Sequence, residues 1–252
     1  MDCRGHYTGR TPPRSAIQTC SKTSRCAAFS NKDENGRRRS DTDETTLPLS
    51  PGPLLAVSSI NGIVIAPGEH FSFCRLVGRP TRKRGYVEGM ELSFGEARSG
   101  IGGGICQLSN LIHWMAIHST LVVVERSNHS FDPFPDEGRV LPFGSGAAIF
   151  YNYVDLVLHN PTDRHFQLKL NVGKQQLEGE LLCDRVREFR YHVYQVGHRF
   201  LREGGRVFRE NEIWREVRSK GQGSEVLENE RLYRNRVVVK YEVGESLLVV
   251  NV

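Results

Sequence analysis

The sequence predicts an α+β fold that is predominantly antiparallel β, with one key helix following a glycine-rich turn. Apolar and polar residues alternate with a period of two over much of the chain from about residue 165 onward, as in antiparallel strands with one exposed face. Proline- and glycine-containing turns separate shorter apolar runs before that point. The longest stretch with apolar residues at helical spacing is 105–119, directly after three glycines.

Composition divides the chain into three segments. Residues 1–46 are rich in Ser, Thr, Asn, Asp and Arg and have no apolar periodicity, so we expect them to be disordered. A proline-rich break at 47–53 precedes a domain that begins near Leu54 and extends to about residue 185. Residues 186–252 form a β-rich extension, which we expect to pack on that domain.

Each element of the domain follows from a local pattern of apolar residues and turns. The patterns predict strands at 63–65 and 71–73, a basic loop at 78–85, the helix at 105–119, a buried strand at 121–125, a loop at 130–146, and strands at 147–150 and 154–158. A turn at 159–163 then leads into a β-hairpin over 165–184. The extension continues as strands, although part of 207–219 also allows a helix.

Composition and charge exclude several classes of protein. Hydrophobic residues make up 38% and charged residues 25%, which is typical of a globular protein, and the formal net charge is +5. Arginine clusters permit an anionic partner such as a carboxylate-bearing substrate, or simply form a solvated surface. The six cysteines include no C-x-x-C pair, so we predict neither a zinc site nor a dense disulfide framework. We expect no nucleic-acid partner, no metal and no cofactor, and the oligomeric state is left open.

Two further absences bear on location. No apolar run approaches the roughly 20 residues that span a bilayer, so we predict no integral membrane segment. The N-terminus has no apolar region after its charged residues, as a secretory signal would have. We therefore expect a cytoplasmic protein from the sequence as written, or an envelope-associated one if the true start lies elsewhere.

The segment Gly102-Gly103-Gly104-Ile105-Cys106-Gln107 is the predicted chemical centre. A thiol is a good nucleophile only as its thiolate, and a helix N-terminus favours that anion through its partial positive charge and unpaired N–H groups. The glycines permit close approach of a substrate to the backbone, and free N–H groups of the turn could stabilise an oxyanion. The alternative is that Cys106 is a small buried residue, the usual fate of a free cysteine.

A cysteine nucleophile needs a base, and His129 is the candidate. It follows the predicted strand 121–125 at the start of a loop, where functional residues are common. His113 lies about 10 Å from Cys106 along the helix axis, too far for direct proton transfer, so we expect a structural role for it and for His118. The spacing of Cys106, His113 and His129 gives no indication of a metal site.

Other residues near these two have both a functional and a structural interpretation. Ser109 and Asn110, one turn after Cys106, could line its pocket or bond back to the helix. Arg126 could bind a substrate carboxylate or form a surface ion pair.

Several motifs, in this order, resemble the VanW family. They are Pro67-Gly68-Glu69-His70-Phe71-Ser72-Phe73, the G-G-G-x-C-Q block at 102–107 followed by Leu108-Ser109-Asn110, the E-R-x-x-H-S block at 125–130, Phe143-Gly144-Ser145-Gly146-Ala147 and Asn160-Pro161-Thr162-Asp163. The resemblance covers roughly residues 54–185. It implies an association with the cell envelope or glycopeptide resistance, since the family is named after an accessory protein of vancomycin-resistance clusters.

Some larger members of this family are associated with L,D-transpeptidase activity. The resemblance therefore implies that Cys106 attacks a carbonyl of a peptidoglycan stem peptide, with His129 as its base. We predict these two as catalytic residues and, as binding residues, Gly102, Gly103, Gly104, Gln107, Ser109, Asn110, Arg126 and Ser130. The alternative is a non-catalytic binding or accessory protein that recognises a cell-wall precursor.

The sequence departs from the family pattern at one position. Many VanW domains have an aspartate after the loop, in a G-x-D-A-T pattern, where this chain has Gly146. If that aspartate orients the histidine elsewhere, another group must do so here, and Asp155 is a possible substitute.

Overall fold

The computed structural model describes residues 24–28, 51–93, 96–133, 135–136, 141–173, 177–220 and 224–250, and it confirms the predicted fold class. The helices in these residues are α1 (Pro51–Ile60), α2 (Phe73–Val77) and α3 (Ile105–Ile117). The strands are β1 (Ser24–Ala28), β2 (Val64–Ile65), β3 (His70–Ser72), β4 (Glu88–Ser93), β5 (Glu96–Ile101), β6 (Val122–Glu125), β7 (Phe131–Asp132), β8 (Val157–His159), β9 (Phe166–Val172), β10 (Leu177–Cys183), β11 (Phe189–Glu203), β12 (Arg206–Ser219), β13 (Val226–Val239) and β14 (Leu248–Val250).

The main hydrophobic core surrounds α3. Leu108, Ile112 and Met115 on its apolar stripe are fully buried, and the helix contacts α1, β6 and β10. The helix ends at Ile117, two residues earlier than predicted, because Ser119 folds back and donates its hydroxyl to the Ala116 carbonyl at 2.7 Å. A fixed, buried α3 determines where the residues of its first turn lie.

Two small sheets pack with α3 in this core. One has the order β1-β10-β9-β2, and its antiparallel β9–β10 pair confirms the predicted hairpin. The other has the order β3-β8-β6. A separate antiparallel hairpin, β4–β5, leads directly into the glycine turn before α3. In the described part of the chain, no helix combines the length and apolar character that crossing a bilayer requires.

The prediction that 121–125 is a buried strand is wrong in one respect. The strand exists as β6, but Val122 and Val124 are 47% and 56% exposed, and Leu121 just before it is the buried residue. Strand β6 is the edge strand of a three-stranded sheet and pairs with β8. It therefore has a strand neighbour on one side and solvent on the other.

The extension forms most of a five-stranded sheet in the order β14-β11-β12-β13-β7, in which β11, β12 and β13 are long and the short strand β7 comes from the preceding domain. Strand β12 spans residues 206–219, so the helical alternative for 207–219 is wrong. Its alternating apolar side chains cover α3 from the other side, where Ile117, Val193 and Ile213 form a second buried cluster. The extension therefore packs directly on the helix that carries the glycine motif.

Three other expectations need correction. Helix α1 occupies residues read as a break and a domain start, because a proline in the first turn of a helix is well tolerated. The strands predicted at 147–150 and 154–158 are wrong in extent. Ala148, Phe150 and Val154 form only isolated β-bridges, and the second strand is limited to β8. Most of the segment predicted to be disordered, residues 1–46, lies outside the described residues, but Ser24–Ala28 within it forms a strand paired with β10.

Candidate functional site

The glycine turn fixes the start of α3 by two different means. Gly104, the residue before the helix, has φ +88°, a left-handed conformation that favours glycine. Gly103 contacts the backbone of the β4–β5 hairpin so closely that an added Cβ would lie 2.1 Å from the carbonyl carbon of Gly89. The turn therefore locks α3 onto the hairpin and places Cys106 in the first helical turn, as predicted.

The N–H groups of the turn are used within the backbone. Gly103, Gly104 and Ile105 donate to the carbonyls of Gly100, Met90 and Gly102 at 3.1, 2.9 and 3.3 Å. They are therefore not the free oxyanion donors expected from the sequence. The backbone N–H of Cys106 donates to no backbone carbonyl within the part of the chain that the structure describes.

A cavity of about 680 Å³ opens in front of this turn. Its wall is formed by five parts of the chain: the α2 region, the β4–β5 hairpin, the start of α3, His129 between β6 and β7, and the segment after Gly146. The lining side chains and backbone belong to Phe73, Cys74, Val77, Gly78, Arg79, Pro80, Met90, Glu91, Leu92, Ile101–Gln107, Asn110, His129 and Ile149–Tyr153. The cavity thus brings Cys106 and His129, 23 positions apart in the sequence, into one wall.

The Cys106 thiol is protonated at rest. Burial raises its pKa, with a smaller contribution in the same direction from the charge of Glu91, and backbone groups of Ile149 and of Cys106 itself offset part of this. Its Sγ lies 3.8 Å from the Ile149 carbonyl oxygen, to which the thiol donates. The expected stabilisation of the thiolate by the helix N-terminus is therefore outweighed by loss of solvent.

Five of the predicted binding residues line the cavity together with Cys106 and His129. These are Gly102, Gly103, Gly104, Gln107 and Asn110. The Asn110 Oδ1 accepts a bond from the Ala147 backbone N–H at 2.7 Å. Gln107 is exposed at the surface of the first helical turn.

Three of the predicted binding residues lie outside the cavity wall. Ser109 is fully buried and donates its hydroxyl to the carbonyls of Cys106 and Ala147, the back-bonding alternative. Arg126 donates to the carbonyls of Gly144 and Gly146, and its guanidinium lies 4.1 Å from the centre of the Tyr233 ring. Ser130 is exposed and does not line the cavity. Arg126 thus shapes the 144–146 loop rather than presenting a free guanidinium.

A side chain at the position of the missing aspartate would require the Asn110 side chain to move. A Cβ at Gly146 would lie 2.6 Å from the Asn110 Oδ1. The proposed substitute, Asp155, accepts bonds from the Ser72 hydroxyl at 2.5 Å and from the Cys74 and Leu156 backbone N–H groups at 2.8 and 2.7 Å. Its carboxylate therefore binds the start of α2, on the side of Cys74.

Cys74, Arg79 and the aromatic residues after Ile149 line the cavity but were not predicted as site residues. Burial, followed by the Asp155 carboxylate, raises the pKa of Cys74 to about 12. Arg79 is exposed, and no hydrogen bond or ion pair of its guanidinium is found among the described residues. The sequence indicates a basic loop at 78–85, which contains Arg79. The spacing of the basic residues in that loop does not show which of them faces the cavity.

The two α3 histidines have structural roles, as expected. His113 is fully buried; its Nδ1–H donates to the Ser145 carbonyl at 2.8 Å, and its Nε2 accepts from the Tyr233 hydroxyl at 2.8 Å. Burial lowers the pKa of His113 to about 3 and that of His118 to about 4. No group of three His, Cys, Asp or Glu side chains within the described ranges is placed to hold a metal ion.

Comparison with known proteins decides the family. The model of the family described as VanW like protein matches residues 54–182, which contain the glycine turn, Cys106, His129 and the cavity wall. The chain belongs to the VanW family.

Two curated proteins are similar to the chain. The vancomycin B-type resistance protein VanW of Enterococcus faecalis is 30% identical over 193 residues, which is 77% of this chain and 70% of that protein. The uncharacterized protein YoaR of Bacillus subtilis is 36% identical over 86 residues, 34% of this chain and 28% of its own length. No solved structure matches the chain. The VanW-family region thus holds the whole wall of the cavity, while β11 to β14 lie beyond the family match.

Proposed function

We propose that this VanW-family protein is a cysteine-dependent acyltransferase that acts on peptidoglycan stem peptides at the cell envelope. The observation that carries the proposal is that Cys106 and His129 line one cavity, with the thiol in the first turn of a fixed helix. A nucleophile and a candidate base in one concave, largely apolar site is the usual arrangement for acyl transfer.

The protonated thiol makes a base necessary. His129 takes the Sγ proton as the sulfur bonds to the carbonyl carbon of the stem peptide, and the same proton then passes to the leaving amine as the C–N bond breaks. An amine of a second stem attacks the resulting thioester, the S–C bond breaks, and the proton lost by the amine returns to the thiol. The net result is exchange of one amide bond for another.

Three donors near Cys106 suit the negative charge that develops on the substrate oxygen. They are the Cys106 backbone N–H and the side-chain amides of Gln107 and Asn110. Arg79 adds an exposed cation to the wall, to which a substrate carboxylate can bind. The choice of stem peptides as the substrate class is supported by the relative named as a vancomycin resistance protein.

The test is acylation by a synthetic stem tetrapeptide, followed by acid quench and mass spectrometry of the Cys106 peptide. We expect a thioester on Cys106 in the unchanged protein and in Cys74→Ala, the matched control for a second thiol in the same cavity. Cys106→Ala forms none, and His129→Gln forms it at least about 100-fold more slowly. Absence of the thioester from a folded protein whose Cys106 iodoacetamide still alkylates contradicts the proposal.

One observation favours a second candidate function, recognition of a cell-wall precursor without chemistry. A thiol that is partly buried and donates to the Ile149 carbonyl is chemically quiet, like most structural cysteines. Under this alternative Cys106→Ser retains the affinity for the tetrapeptide measured by calorimetry, and no thioester forms with any stem peptide. Under the acyltransferase proposal the thioester forms.

A further inference from the structure

An exposed group of aromatic side chains stands at the mouth of the cavity. Phe150, Tyr151 and Tyr153, which we call the aromatic lip, are 46%, 40% and 78% exposed, and all three line the cavity. Neighbouring aromatic rings left in water are unusual in a folded chain and mark ligand or partner sites more often than isolated ones do. The catalytic proposal makes no use of them.

The backbone holds the aromatic lip in one conformation. Residues 150 and 154 exchange two backbone hydrogen bonds, at 3.0 and 2.8 Å, and the Tyr153 N–H also donates to the Phe150 carbonyl. Asn152 completes the tight turn with φ +69°. The Phe150 and Tyr153 rings lie 5.3 Å apart with an interplanar angle of 38°. The lip is therefore preorganised, and a ligand need not order it on binding.

The chemistry of the aromatic lip fits a neutral sugar ring. The segment from Ile149 to Tyr153 carries no charged side chain, and the faces of its rings present negative π density to which the C–H groups of a pyranose are attracted. The amide of Asn152 within the lip, and that of Gln107 in the same wall, can bond to hydroxyl or acetamido groups. A purely apolar side chain would instead gain most from an enclosed pocket, not from rings that are open to water.

We propose that the aromatic lip binds the amino-sugar unit to which a stem peptide is covalently attached, so that the site recognises glycan as well as peptide. The choice of this occupant rests on the proposed function, because a stem peptide that enters the cavity carries its saccharide at the other end. The sugar is then held at the mouth while the peptide reaches Cys106 inside.

The first test uses N-acetylglucosamine oligomers, which contain no peptide and need no catalysis. We expect NMR titration to show saturable binding to the unchanged protein and to Cys106→Ser. In Tyr153→Ala the affinity falls about tenfold, whereas Tyr153→Phe keeps the ring and most of the affinity. Tyr194→Ala, which removes an aromatic ring from β11 away from the cavity, serves as the matched control and leaves the affinity unchanged.

The second test separates this inference from the acyltransferase proposal. The rate of thioester formation is compared between a free stem tetrapeptide and the same peptide attached to its disaccharide. A preference for the disaccharide peptide that disappears in Tyr153→Ala supports the lip as a sugar site. Equal rates in both proteins, or binding of an apolar peptide but not of the sugar oligomer, overturn it while the acyltransferase stands. Sugar binding without any thioester supports the lip and overturns the acyltransferase.

Discussion

Two thiols share the wall of one cavity, and their surroundings differ. Cys106 stands in the first turn of α3 and donates to the Ile149 carbonyl, whereas Cys74 donates to the Val154 carbonyl and also lies beside the carboxylate of Asp155. A helix N-terminus contributes only about half a unit of positive charge. The stabilisation that it gives a thiolate is smaller than the cost of removing that anion from solvent here. At rest both residues are therefore neutral thiols, and their reactivity is controlled by proton removal.

Alkylation kinetics test this state of Cys106. Because burial raises its pKa, we expect iodoacetamide at about pH 7.5 to label Cys106 at least tenfold more slowly in the folded protein than in urea. The rate in the folded protein rises about tenfold for each pH unit, up to its pKa. Peptide mass spectrometry identifies the labelled residue. Equal rates in the folded and unfolded protein would mean that burial does not suppress the Cys106 thiolate, and would contradict the expectation.

At the scale of elements, the glycine turn is a packing joint between α3 and the β4–β5 hairpin. Gly103 and Gly89 place two backbones in direct contact, so the hairpin that forms one wall of the cavity is positioned by the helix that carries Cys106. The turn thus acts on the site through geometry, since its N–H groups are already bonded within the backbone.

Gly103→Ala is the sharpest test of this joint. Its Cβ would lie 2.1 Å from Gly89 carbon and oxygen atoms, so the hairpin must move away from α3. We expect a loss of about 1–3 kcal/mol of stability, measured by chemical denaturation. Gly244→Ala, where the nearest atom to an added Cβ is 3.9 Å away, is the matched control and stays near neutral. An equal, small effect for both variants would show that the contact between Gly103 and Gly89 does not fix the hairpin against α3.

The elements that the sequence predicts well are those with local causes. The apolar stripe and the glycines locate α3 to within two residues at its end, and alternation finds the β9–β10 hairpin. The VanW resemblance is confirmed, and Cys106, His129, Gln107 and Asn110 do line one cavity. Arg79 and the aromatic lip could not be predicted, because distant segments become neighbours only through the core around α3.

At the scale of the whole molecule, α3 joins the VanW region to the sheet that follows it. Its buried His113 bonds to Tyr233 on β13, and Ile117 packs with Val193 and Ile213 of β11 and β12. Tyr233 also lies against the Arg126 guanidinium, which holds the 144–146 loop. The extension is therefore part of the support of the site, although it lies beyond the family match.

The two hydrogen bonds of His113 make the packing of α3 on the extension sensitive to acid. The unfolded chain binds a proton at His113 near pH 6.5, but burial lowers the folded pKa to about 3, so protons favour unfolding between these values. The stability from a neutral His113 is complete above about pH 6.5 and falls by about 1.4 kcal/mol per pH unit below it.

Denaturant unfolding at several pH values isolates this contribution. The difference in unfolding free energy between the unchanged protein and His113→Gln should shrink by about 1.4 kcal/mol from pH 6 to pH 5. His192→Gln, which removes an exposed histidine from β11, is the control. A difference for His113→Gln that is constant over this range would show that His113 is not held neutral.

The bond from the Cys106 thiol to the Ile149 carbonyl has a consequence for when the sulfur becomes reactive. That carbonyl belongs to the peptide unit that joins Ile149 to Phe150, the first residue of the aromatic lip. A ligand bound at the lip therefore lies one residue from the acceptor of the thiol proton. While that bond is in place, oxidants and electrophiles meet a neutral, hydrogen-bonded sulfur, which reacts more slowly than a thiolate.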